Sequence, residues 1–303
     1  MLGILNSNQP VAWAVVPVTG CILFLAACSL DLCEADSWTA LAAVILSARL
    51  IHFLHAESGM RTRPGSIPGW VWVLFATPFI GVVPDASWWC MPCLVQGLRL
   101  VVRLRDTDGM SGTFFYIGLW WGLAVLVGGF QWPLIAAMLL GGLMVRRPDA
   151  GEGISAMLGL ITPAYVFSAA YWVVTTESPT WWTATDPAVG MPMKTMAALA
   201  LPVGAGWVIR QQSMIRATAQ QRFSRQLTQW AGAFGALLIA VAQGLHWMQP
   251  GSWGTAAIAA PGVFAFLSAW SLPWLMPPGL RTTSAMPYVF VLMSMAIVFS
   301  RLS

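Results

Sequence analysis

The chain has 303 residues, 58% of them hydrophobic and only 9% charged, with a formal net charge of +4. A soluble domain carries roughly 25% charged residues to hold its surface in water, so a water-soluble globule of this size is excluded. Lipid is the expected solvent, and membrane lipids are the expected first partners.

In hydrocarbon every backbone N–H and C=O must be paired internally, which leaves helices or closed barrels. A barrel alternates polar and apolar residues in segments of about ten. The apolar runs here, such as 11–30 and 157–174, are continuous. The expected fold is therefore an all-α integral membrane protein, a polytopic helical bundle of 10–11 transmembrane helices. No polar stretch is long enough for a separate soluble domain, so residues 1–303 are expected to form one transmembrane domain. Residues 1–10 lack the basic start and small-residue cleavage site of a signal peptide, and 11–30 is read as a retained first span.

Taking about 20 apolar residues per crossing, the spans in chain order are about 11–30, 38–55, 69–84, 87–104, 112–128, 132–146, 155–175, 193–210, 228–247, 254–275 and 286–301. Residues 109–145 are uncharged and too long for one crossing. Gly128-Gly129-Phe130-Gln131-Trp132-Pro133 supplies a turn that splits them. Basic residues gather in cytoplasmic loops. With the first connection, 31–37, outside, each internal connection is basic: Arg61 and Arg63, Arg103 and Arg105, Arg146 and Arg147, the arginines of 210–225, and Arg281. The external connections carry almost no Lys or Arg, which sets the N-terminus on the cytoplasmic side. Trp38, Trp70, Trp88, Trp89, Trp132, Trp181, Trp182, Trp247 and Trp253 fall at predicted span ends and are expected at headgroup level.

Two cysteine pairs lie at predicted outer ends: Cys90-Met91-Pro92-Cys93, and Cys28 with Cys33. A C-x-x-C lowers the pKa of its first thiol and suits disulfide exchange, so a quinone-linked membrane thiol oxidoreductase is one alternative, with quinone as its only cofactor. Packing cysteines or a structural disulfide are the plainer readings. The acids Asp31, Glu34 and Asp36 in the first external loop suit the base or metal ligand of a polyprenyl-phosphate-dependent glycosyltransferase, a second alternative. That loop is short for holding an acceptor. His52 and His55 share a helical face at the inner end of the second span, whereas His246 lies at the outer end of the ninth. They do not converge on one metal, and no metal site is expected. Arg49 and Arg99 are the deepest charges, within reach of headgroups by snorkelling. No acid lies near the middle of a span, which disfavours an ion-coupled transporter.

The inner loop bearing Arg210, Arg216, Arg222 and Arg225 holds four arginines and no acid, and is a candidate for lipid headgroups or a partner protein. Gly118 and Gly122 form a G-x-x-x-G in the fifth span, expected to serve packing within the chain.

Several stretches together carry a resemblance. Pro84-Asp85 precedes a span closing in Leu98-Arg99-Leu100-Val101-Val102-Arg103-Leu104. An uncharged hairpin, Arg146-Arg147, Glu152, and Gly159-Leu160-Ile161-Thr162-Pro163 with Tyr165 follow, and Ser7-Asn8-Gln9-Pro10 stands before the first span. This pattern resembles a Bacteroidota family of multipass inner-membrane proteins catalogued as domain of unknown function 6427. The resemblance implies a bacterial inner-membrane protein of the cell envelope, with no assigned activity and no catalytic residue to carry over. A carotenoid-oxygenase label borne by some relatives conflicts with the scattered histidines. The function expected is a non-catalytic or lipid-handling component of envelope biogenesis. Its candidate partners are membrane lipids and other inner-membrane proteins, with no nucleic acid and no cofactor.

Overall fold

A computed structural model of the chain describes residues 10–30, 37–57, 66–81, 88–104, 111–127, 149–175 and 226–227. Among these residues the structure is all-helical, with no strand. Six α-helices follow in order: α1, Pro10–Ser29; α2, Trp38–Glu57; α3, Ile67–Ala76; α4, Cys90–Arg103; α5, Ser111–Val127; and α6, Ala150–Thr175. Three stretches, Val11–Ser29, Trp38–Glu57 and Ala150–Thr175, are long and apolar enough to cross a membrane. The predicted segments 132–146, 193–210, 228–247, 254–275 and 286–301 lie outside the described residues, apart from the neighbouring pair 226–227.

Because α1 is apolar all round, hydrophobic periodicity cannot say which face meets protein. Ala12, Val16, Gly20, Phe24 and Ala27 turn inward, while Val11, Val18, Ile22 and Leu25 are exposed. Lipid tails are as apolar as Leu, so helix contacts in membranes are set by close packing, which favours small residues. The same division holds on α6, where Gly159 and Pro163 are buried and Ile154, Met157, Leu158, Ile161 and Tyr165 are exposed. Hydroxyls on these helices are satisfied by their own turn: Thr162 donates to the carbonyl of Leu158 at 2.6 Å and Thr175 to that of Tyr171 at 2.7 Å. A hydroxyl paired in this way needs no water.

α3 is buried over its whole length, from Ile67 through the 3-10 turn Thr77–Phe79 to Ile80. The α-helix ends at Ala76, within the segment predicted over 69–84, of which 82–84 lie outside the described residues. Pro78 has no N–H to continue the ladder, and at Gly81 the backbone takes φ 91°, a left-handed value that glycine adopts without strain. Its two indoles join α3 to its neighbours. Trp70 Nε1 donates to Thr19 Oγ1 of α1 at 3.2 Å, and that hydroxyl donates on to the carbonyl of Val15 at 2.7 Å. Trp72 Nε1 donates to the carbonyl of Val44 in α2 at 2.9 Å. Trp70 and Trp88, expected at headgroup level, are buried by neighbouring helices, Trp88 packing edge-on against Trp72. A buried indole brings large apolar area and needs only one acceptor, which α1 and α2 supply to the two indoles of α3. Trp38 and Trp89 remain exposed.

From this centre the packing proceeds outward: α2 against α4, α4 against α5, and α5 against α6. The side chain of Trp121 on α5 occupies the space that Gly97 leaves open on α4. α5 and α6 meet backbone to backbone, because Gly118 lies against Ala156 and Leu160, Gly122 against Leu160 and Pro163, and Gly159 against Phe115 and Leu119. The G-x-x-x-G thus packs within the chain. Residue numbers rise together along both helices, so α5 and α6 run parallel.

α6 begins at Ala150, five residues ahead of the predicted 155. Asp149 and Glu152 explain the difference. The Asp149 N–H donates to Glu152 Oε2 at 3.0 Å, while its carbonyl accepts from Gly153 at 2.9 Å. This is the backbone half of a capping box, with an acid three residues into the helix closing its first turn.

Candidate functional site

The predicted cysteine site falls at the start of α4. Cys90 and Cys93 occupy its first turn, where Pro92 costs no hydrogen bond because those N–H groups have no partner within the helix. Both thiols are free; Cys90 is buried and Cys93 half-buried. Cys28, near the end of α1, is disulfide-bonded. Cys21, Cys90 and Cys93 are all free, so this bond does not link the first pair to the second. Cys33 and the acids Asp31, Glu34 and Asp36 lie outside the described residues, as do Arg210, Arg216, Arg222 and Arg225. No group of three or more His, Cys, Asp or Glu among the described residues is placed to hold a metal ion. His52 meets the edge of Trp13 at 4.4 Å between ring centroids and is buried with His55.

What the structure does assemble lies at the opposite end of the bundle, where the last turns of α2 and α4 come side by side. Glu57 ends α2. Arg99 on α4 grips it with two donors, Nη2 to Oε1 at 2.5 Å and Nε to Oε2 at 3.2 Å. Arg103, one turn further on, reaches Oε1 at 2.6 Å. Gln96 takes the remaining Nη1 of Arg99 at 2.8 Å. A forked guanidinium–carboxylate pair is among the stronger polar contacts a protein makes. Here it is well shielded, with side-chain exposures of 13% for Arg99 and 19% for Glu57, whereas Arg103 is 56% exposed.

Aromatic rings complete the cluster. The guanidinium of Arg99 lies 5.1 Å from the centroid of Phe53, and that of Arg49 lies 5.7 Å from the same ring and 5.9 Å from Trp13 on α1. These distances fall within the range of cation–π attraction. Arg49 is exposed and forms no ion pair among the described residues. Among the described residues the cluster thus holds three guanidiniums and one carboxylate.

Glu57 is the member that reading the sequence missed. The signal was present: one acid closing the second span, and two arginines spaced i, i+4 at the inner end of the fourth, where they share a helix face. Compared with known protein families, with curated proteins and with solved structures, the chain matches none of them.

Proposed function

We propose that this chain is a multipass protein of the bacterial inner membrane that serves cell-envelope biogenesis as a non-catalytic, lipid-handling component, as its resemblance to domain of unknown function 6427 implies. One observation carries the reading. The described charges that come together do so at the basic end of the bundle, locked in ion pairs and ring contacts, with positive charge in excess. A carboxylate held by two arginines is committed to structure rather than to proton transfer, and the surplus charge suits an anionic headgroup. The disulfide at Cys28 supports the orientation. Such bonds persist in oxidising compartments, and Cys28 lies at the end of α1 opposite the basic cluster. Parallel packing of α5 and α6 supports a return crossing between them, as expected for 132–146.

Thiol oxidation is less well supported, since the fully buried sulfur of Cys90 offers a substrate no approach. The test is to purify the full chain from bacterial membranes in mild detergent and compare its bound lipid with the bulk. Enrichment of phosphatidylglycerol or cardiolipin is expected. Bound lipid of bulk composition would reject the reading.

A further inference from the structure

We infer that the inner ends of α1, α2 and α4 form a binding site for the phosphate of an anionic phospholipid, with Arg49 as its principal ligand and Arg103 as its rim. The inference rests on the lipid-handling reading and gives it a place.

The three arginines of the cluster are not equivalent. Arg99 commits all three of its nitrogens to Glu57 and Gln96, which leaves it to position the others. Arg103 has given one donor to Glu57 and keeps an exposed side chain. Arg49 has given none to a carboxylate among the described residues and is exposed. It sits eight residues before Glu57 on α2, so its Cα lies about 12 Å deeper along the helix axis, while its guanidinium reaches Phe53, one turn nearer the helix end.

An unpaired cation at that depth in hydrocarbon is costly unless an anion or water meets it. An arginine that only snorkelled would extend toward the headgroups with its side chain free. Instead the guanidinium is held beside Trp13 and Phe53, from two different helices. Rings leave the edge donors of a guanidinium free, and a planar fork of donors matches a phosphate. Glu57 faces the site from α2, but both its oxygens are engaged by Arg99 and Arg103, which blunts its repulsion of an anion. Basic pockets between transmembrane helices on the cytoplasmic side bind anionic headgroups in this way. A lipid is favoured over soluble phosphate because Arg49 is exposed on the lateral surface of a spanning helix, below the bundle's end.

The experiment places the full-length protein in nanodiscs of equal parts phosphatidylglycerol and phosphatidylcholine, releases it, and counts retained lipids by native mass spectrometry. Wild type is expected to retain phosphatidylglycerol in preference. Arg49→Gln should lower that retention about fivefold, and Arg49→Lys, which keeps the charge but loses the planar fork, should fall between. Lys194→Gln, which removes one positive charge at the other end of the predicted topology, should retain as wild type does. Monodispersity on gel filtration confirms that each variant is folded. If Arg49→Gln retains phosphatidylglycerol as wild type does, or if Lys194→Gln loses it equally, the site is rejected while the lipid-handling reading stands. If wild type shows no preference for phosphatidylglycerol, both are rejected.

Discussion

Adding a single methyl group at Gly118, Gly122 or Gly159 is expected to destabilise the protein by about 2 kcal/mol or more, within the range for overpacking a filled interface. A Cβ at Gly118 would strike the backbone of Ala156 and Leu160, and one at Gly159 the backbone of Phe115 and Leu119. Backbone cannot rotate aside as a flexible side chain can, so α5 and α6 must separate. That separation forfeits dispersion contacts along the whole crossing. Two other glycines provide the control. A methyl group added at Gly112 or Gly153 would have nothing within 4 Å, so alanine there meets open space. In a helix interior that exchange is favourable by roughly 0.5–1 kcal/mol. Thermal unfolding of the five alanine variants in one detergent should therefore split them by sign. Equal and small effects at all five would contradict the close crossing of α5 and α6.

Replacing Glu57 by glutamine is expected to cost about 2 kcal/mol. Breaking a fully buried ion pair from one side costs roughly 3–5 kcal/mol, because the abandoned charge has no solvent. The value is discounted because Arg99 and Glu57 keep 13% and 19% of their side-chain surface exposed. The double variant Glu57→Gln with Arg99→Gln should recover part of the loss, since the guanidinium it leaves without its carboxylate, that of Arg103, is 56% exposed. A double-variant cycle in the same unfolding assay measures the coupling. Strictly additive losses would mean that the two side chains do not depend on each other.

Much of the fold was legible in the sequence because the membrane simplifies the problem. Continuous apolar runs marked α1, α2 and α6. What composition could not supply was the inward face of each helix, since both stripes of α1 are apolar. Residue size did not supply it either, since Phe24 is buried with Ala12, Gly20 and Ala27 while Ala14 and Ala26 are exposed. Two features were missed for other reasons. The start of α6 was set by apolarity alone, although Asp149 and Glu152 had the spacing of a capping box. Trp70 and Trp88 were placed at span ends by the preference of tryptophan for that level, which could not show that neighbouring helices bury both indoles. The site was legible only by halves. Arg49 and Arg99 stood out as the deepest charges, while their relation to Glu57, Phe53 and Trp13 depends on how α1, α2 and α4 pack.

The central claim is a bundle whose basic ends face the cytoplasm and whose Cys28 end faces an oxidising compartment. Truncations fused to a paired reporter, alkaline phosphatase for the outside and green fluorescent protein for the inside, test it most directly. Phosphatase activity is predicted for fusions ending at positions 35, 130 and 178, and fluorescence for those ending at 62, 106 and 148. Phosphatase activity at 106, or the same compartment at 130 and 148, would contradict the account.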